Sequence, residues 1–145
     1  MSASRPSAVL AVIATAVVAA TVVTAVVILG PPSAQRQRKM DRVRVMDLVN
    51  VAASVDGYYR LHKALPADLG ALAREPGYRI ARRDPQTGAP YGYQILAATE
   101  YRLCADFATD SATATPDFEI AYVSVEWVHG QGHRCFDRHA DKRIQ

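Results

Sequence analysis

Hydrophobic and polar positions recur with three different periods along this chain, and each period predicts a different element. Residues 8–29 carry no charge and consist of Ala, Val, Ile, Leu and Thr. At about 1.5 Å per residue such a run crosses a hydrocarbon core of about 30 Å as one helix. A cleaved signal peptide is the rival reading, but its apolar region spans only about 7–15 residues. Pro32-Ser33-Ala34 also lacks the small-x-small cleavage pattern. The Val and Thr content does not oppose a helix there, because lipid forces every backbone group to pair within its own segment. Gly30-Pro31-Pro32 ends it, since two prolines remove successive donors and bias Gly30 away from helical dihedrals. A second helix is expected to start after Ser33 as N-cap.

In that second segment the period changes to spacings of three and four. Val45, Leu48, Val49, Ala52, Val55 and Tyr59 make one apolar stripe, with Asp47, Asn50 and Ser54 on the solvent side. Asp56 falls at the edge of the stripe and reads as a solvated carboxylate pairing with Arg60; a buried polar anchor is the alternative. Leu65-Pro66 closes the helix. Pro66 then suits the first turn of a short helix whose Leu69 and Leu72 point inward. After the Pro76-Gly77 turn, Tyr78-Arg79-Ile80 suggests an edge strand, and Asp84-Pro85-Gln86-Thr87-Gly88-Ala89-Pro90 specifies a tight loop.

Beyond the loop the pattern alternates with period two. Residues 91–96 and 101–107 predict a hairpin, with Tyr101, Leu103, Ala105 and Phe107 on one face and Arg102, Cys104 and Asp106 on the other. The Thr-rich stretch 108–117 reads as a mobile loop, 118–128 as a third strand and 134–136 as a fourth, with fraying from Arg138 onward. The expected fold class is α+β: a transmembrane helix, then a long amphipathic helix packed on an antiparallel sheet of three or four strands. The expected organisation is a tail over 1–7, a membrane helix over 8–29, a Gly/Pro linker over 30–35, a domain over 36–138 and a flexible tail over 139–145.

Composition changes the picture in two places. A net charge of +3 over 145 residues, with acids interspersed among the arginines, leaves no nucleic-acid footprint. Arg36, Arg38, Lys39, Arg42 and Arg44 follow the membrane segment, against Arg5 alone on the other flank, which by the positive-inside rule places the domain in the cytoplasm. Cys104 and Cys135 argue the opposite. Two cysteines without a CxxC motif read most economically as one structural disulfide, which requires an oxidising compartment. Asp41 and Asp47 break the basic run, so the extracytoplasmic side is favoured.

The order of these features carries a resemblance. Tyr58-Tyr59, Leu65-Pro66, Leu69/Leu72 and then Asp84-Pro85, Gly88 and Pro90-Tyr91-Gly92-Tyr93 before a small sheet resemble the major pseudopilins of type II secretion and type IV pilin-like proteins, over about residues 41–107. Tyr101-x-Leu103-Cys104-Ala105-x-Phe107 and Trp127-x-His129-x-x-Gly132-x-x-Cys135-Phe136 are similar to a group of bacterial single-pass membrane-anchored proteins with the same motif order. The resemblance implies a pilin-like fold, a bacterial inner-membrane location and contacts with envelope, secretion or pilus proteins. It does not imply fibre assembly. No Gly precedes a Phe or Met at the start of the apolar segment, no Glu lies within 8–29, and Gly30 is at the wrong end for processing. The pseudopilin calcium loop is not matched either.

Candidate chemistry is sparse. Cys104, His129, His133 and Cys135 offer two thiolates and two imidazoles, an acceptable zinc set, but the two histidines are separated by glycine-rich loop rather than by one helical turn. Ser124, His129 and Asp137 are parts of a hydrolase without an elbow or an oxyanion loop around them. Trp127, Tyr91, Tyr93, Tyr101 and Tyr122 read as core rather than as a recognition surface. The sequence therefore points to a non-enzymatic anchored protein acting through protein contacts, with no cofactor and no evident small-molecule substrate. A metal-binding or redox-active domain and a cytoplasm-facing regulatory domain are the alternatives.

Overall fold

The computed structural model describes residues 5–29, 31–111 and 125–140. The chain divides into two units, Met1–Gln37 and Arg38–Gln145. In the first, α1 (Arg5–Leu29) is 25 residues long, roughly 37 Å at helical rise. Val9, Leu10, Val12, Val17, Val18 and Val27 on it are all exposed. Its threonines are satisfied internally: Thr15, Thr21 and Thr24 donate to the carbonyls of Ala11, Val17 and Ala20 at 2.9, 2.8 and 2.8 Å. A helix whose threonines donate to its own carbonyls and whose exposed Val and Leu side chains are apolar suits a hydrocarbon solvent. It is long and apolar enough to span a membrane.

α2 (Pro32–His62) starts one residue before the expected cap. Ala34 N–H donates to the Pro31 carbonyl at 3.0 Å, so Pro31 rather than Ser33 occupies the cap position. Pro32 stands at the first helical residue, where a missing N–H costs nothing. The helix ends at His62, before Leu65-Pro66, because Lys63 adopts φ 55° and turns the chain in the left-handed region. Val45, Leu48, Ala52 and Val55 are buried as the stripe predicts, and Val49 and Tyr59 pack partly buried against the same core. Val51 is also fully buried, and so are two ions, Asp41 and Arg44.

α3 (Leu69–Arg74) is capped by Asp68, not begun by Pro66: the Asp68 carboxylate accepts the Ala71 N–H at 2.6 Å. Leu69 and Leu72 point inward as expected. Tyr78, Arg79 and Ile80 form no strand; Tyr78 and Ile80 instead lie partly buried against the core. The Asp84 loop is the tight turn that its residues specify. Asp84 Oδ1 accepts Gln86 and Thr87 N–H at 2.7 and 2.9 Å, and Gly88 supplies the φ of 71° that closes it.

β1 (Gly92–Ile95), β2 (Glu100–Phe107) and β3 (Gly132–His139) form an antiparallel sheet in that order. The fold class is thus α+β, with three strands among the described residues. β3 is longer than the expected fourth strand and runs through Arg138, where fraying is expected; Ala140 beyond it is buried and its N–H reaches Thr99 O at 2.9 Å. The expected third strand falls mostly outside the described residues, and its end, Val125–Trp127, is a 3-10 turn. The start of the supposed mobile loop is tied down: Ala108 and Thr109 N–H both bond to the Asp41 carboxylate.

Tyr101, Leu103, Ala105 and Phe107 face inward and share one core with the α2 stripe, Leu69 and Leu72. Tyr101, Leu103, Leu48, Val51, Val55 and Leu72 are fully buried, each stabilising the fold by about 1.5–3 kcal/mol.

Candidate functional site

Among the described residues, polar side chains gather in an ionic clamp, a row of tyrosine anchors and the outer face of the sheet, the last of these open to solvent. Arg44 is held between Asp84 and Asp41: its Nε donates to Asp84 Oδ2, Nη1 to Asp41 Oδ1 at 2.6 Å, and Nη2 to Gln86 Oε1 at 3.0 Å. Asp41 Oδ2 also accepts the Thr109 N–H and hydroxyl, at 2.7 and 2.6 Å. One helix, the Asp84 loop and the segment after β2 are thereby joined through three side chains that are nearly free of solvent. Burial would raise the Asp84 pKa, but Arg44 and the Gln86 and Thr87 N–H groups outweigh it and hold the carboxylate below its usual range. Burial likewise opposes the Arg44 charge, and the two carboxylates overcome it. Each guanidinium nitrogen is directed at a fixed acceptor, so the cluster cross-links the three segments.

The second place is a row of tyrosine anchors. Tyr91 donates to Asp47 at 2.8 Å, Tyr93 to the Pro66 carbonyl at 3.0 Å, and Tyr101 to Asp56 at 3.0 Å. These bonds explain why Leu65-Pro66 and Tyr91 stand in the sequence pattern: Pro66 is fully buried and supplies the acceptor for Tyr93. Burial pushes the Tyr93 hydroxyl up to about 12, so it stays protonated. The solvated reading of Asp56 and the solvent-facing reading of Asp47 are both corrected, because each carboxylate is half-buried under a tyrosine hydroxyl.

Burial raises the Asp56 pKa above the ordinary value, against the Tyr101 bond and the charges of Arg138 and Arg60. The folded chain thus holds this proton where the unfolded chain has released it. Its contribution is fully present below about pH 4 and is lost as pH rises through the folded value. Asp56→Asn keeps an acceptor for Tyr101 and removes the titration. Urea midpoints measured from pH 4 to 7 are expected to rise for the variant relative to the native chain as pH increases. A constant offset would mean that folding leaves the Asp56 pKa unshifted, and a relative fall would place the stabilising role on the charged carboxylate.

At the far end of the core, Trp127 and Phe136 rings lie 4.9 Å apart, and Arg138 sits over Trp127 at 4.8 Å while pairing with Glu126 at 2.5 Å. His129 is 6% exposed and stacks on Phe107 with ring centroids 3.8 Å apart. Burial depresses its pKa, only partly offset by the Gly130 carbonyl and nearby acids, which favours a neutral ring serving as aromatic filler. His129 is therefore on the inner side, whereas Asp137 is on the outer face, paired with Arg102. The two described members of the hydrolase set do not meet, and Ser124 lies outside the described residues. Trp127, Tyr91 and Tyr101 are buried and Tyr93 half-buried, the core reading; Tyr122 also lies outside the described residues.

The third place is the outer face of β2 and β3. Register pairs Arg102 with Asp137, Cys104 with Cys135 and Asp106 with His133, so three rungs of side chains project to solvent. Cys104 and Cys135 form the expected disulfide directly across the strands, with a Cα–Cα distance of 4.1 Å. His133 Nε2 lies 3.6 Å from Cys135 Sγ, and its Nδ1 lies 3.0 Å from Asp106 Oδ1. The four-residue zinc set is corrected here, because His129 is buried on the other side of the sheet. Asp106 went unseen as a partner of His133 because they are 27 residues apart and only the strand register joins them.

Gly92 opposes Cys104 from β1, and a Cβ there would fall 2.8 Å from the Cys104 Cβ. Gly92→Ala is expected to lower stability by about 1–3 kcal/mol through overpacking, read as a drop in thermal midpoint. An unchanged midpoint would mean that the edge strand yields freely. Among the remaining motif positions, Gly132 supplies a φ of 89° at the start of β3, Arg83 and Pro90 form an isolated bridge across the loop, and Pro85 is exposed. No protein-family model, curated protein or solved structure matches this chain.

Proposed function

We propose that this is a non-enzymatic, single-pass membrane protein of a bacterial envelope, whose pilin-like domain lies on the extracytoplasmic side of the inner membrane and acts by contact with other envelope or secretion components. The observation that carries the reading is the joined Cys104–Cys135 pair in a chain that also has a helix of spanning length. Disulfides persist outside the reducing cytoplasm. The basic flank that argues for the cytoplasm is weakened from within, since Arg44 is neutralised between Asp41 and Asp84 and is no surface charge.

The sequence Gly30-Pro31-Pro32 supports reading a tethered domain rather than a fibre subunit, because a pilin runs its membrane helix directly into the domain helix. Partner contact falls to the β1 edge, unpaired among the described residues, where Ile95 and the adjoining Leu96 are 45% and 38% exposed. A photo-activatable amino acid at Leu96 tests this in cells. One discrete heavier adduct is the expected product, absent when the probe sits at Asn50 on the exposed side of α2. No adduct from Leu96, or the same adducts from both positions, would contradict the contact role.

A further inference from the structure

We propose that the outer face of the sheet holds a redox-gated zinc site, in which Cys104, Cys135 and His133 are the ligands and Asp106 positions the imidazole. The ligand atoms of the three residues all lie within 4.8 Å of one another. They are gathered by the β2–β3 register, which places Cys104 opposite Cys135 and Asp106 opposite His133 on adjacent rungs. Backbone pairing from Glu100–Phe107 to Gly132–His139 holds this arrangement independently of the sulfur–sulfur bond.

The orientation of His133 is that of a metal ligand. With its Nδ1–H donated to Asp106 at 3.0 Å, Nε2 carries the free lone pair and faces Cys135 Sγ at 3.6 Å. A carboxylate behind a histidine fixes tautomer and direction in this way at many metal centres. The spacing also fits. Tetrahedral zinc with bonds of about 2.3 Å to sulfur and 2.0–2.1 Å to nitrogen sets its sulfur and nitrogen ligands about 3.5 Å apart. Cys135 Sγ and His133 Nε2 are already near that distance, the two sulfurs must separate to about 3.8 Å for a metal between them, and the imidazole starts within 4.8 Å of Cys104 Sγ. Three protein ligands leave the fourth position to water, on a face open to solvent.

The disulfide is the gate. A dithiol reductant supplies two electrons and two protons: the Cys104–Cys135 bond breaks, two thiols form, and the reductant closes its own disulfide. Zinc(II) then displaces both thiol protons to solvent as two zinc–sulfur bonds form, and His133 adds its Nε2 lone pair. In the oxidised chain neither sulfur is a thiolate, leaving one imidazole, which cannot hold the ion alone.

Cobalt(II) titration of the full-length protein in detergent micelles tests the site. After reduction with dithiothreitol and anaerobic desalting, the native chain is expected to take up one cobalt with tetrahedral d–d and sulfur-to-cobalt bands, and zinc is expected to displace it. The oxidised chain should give no such bands. His133→Ala, at an exposed position, should weaken binding at least about 100-fold with both thiols still titratable, and Asp106→Asn by about 10–100-fold. Reduced protein that binds no metal, or His133→Ala binding as tightly as the native chain, would overturn the proposal.

Discussion

Arg44→Ala is expected to destabilise the domain by about 3–5 kcal/mol, the range for removing one partner of a buried charge pair. The cost arises less from the lost bonds than from what remains. Asp41 and Asp84 would stay buried facing each other's vacated partner, and two carboxylates without a cation either repel or take up protons. Arg44→Lys is not a remedy, since one ammonium cannot reach Asp84, Asp41 and Gln86 in the way that the guanidinium fork does. The pH dependence follows from the depressed Asp84 carboxylate. Its stabilisation is fully present above the unfolded value near pH 4 and is lost as pH falls through the lower folded value. Urea unfolding of the native chain and Arg44→Ala at pH 7 and below pH 4 reads both effects. A variant within about 1 kcal/mol of the native chain at pH 7 would mean that the clamp carries little of the stability.

Removal of the disulfide comes next in size. Cys104 and Cys135 are 31 residues apart, and in the chain-entropy model a loop of that length contributes about 3–4 kcal/mol through the unfolded state. Cys104→Ser/Cys135→Ser is expected to lose that amount in urea unfolding while keeping the sheet, because inward-facing Leu103, Ala105 and Phe136 do not depend on the outer face. A loss below about 1 kcal/mol would place the constraint elsewhere, in the paired strands themselves.

The elements were legible where one period dominated. The α2 stripe, the Asp84 loop and the alternation of Tyr101 to Phe107 follow from spacing and turn chemistry alone, and each lies close to where the spacing puts it. What spacing cannot see is a pair made by tertiary contact. Asp41 and Arg44 look like part of a solvated basic run, and become a buried clamp only because Asp84 arrives from 40 residues away. A trace of it was present, since an acid and an arginine three apart on one helix face can pair. The candidate site was half legible: two cysteines and two histidines stood out, yet only the register of β2 and β3 sorts His133 outward beside Cys135 and leaves His129 inside against Phe107. Helix ends were the least legible. Pro31, Lys63 and Asp68 override the caps suggested by Ser33, Leu65 and Pro66, because a cap is decided by one residue's dihedrals rather than by a periodic signal.

Membrane sidedness is what the functional proposal stands on, and reporter fusions after Gln145 in a bacterial host measure it directly. Alkaline phosphatase, which folds only where disulfides form, is expected to be active in that position, with Cys104 and Cys135 inaccessible to a thiol reagent in intact cells until a reductant is added. An inactive phosphatase fusion alongside an active cytoplasmic reporter at the same position, with both thiols freely alkylated, would put the domain in the cytoplasm and contradict the proposal.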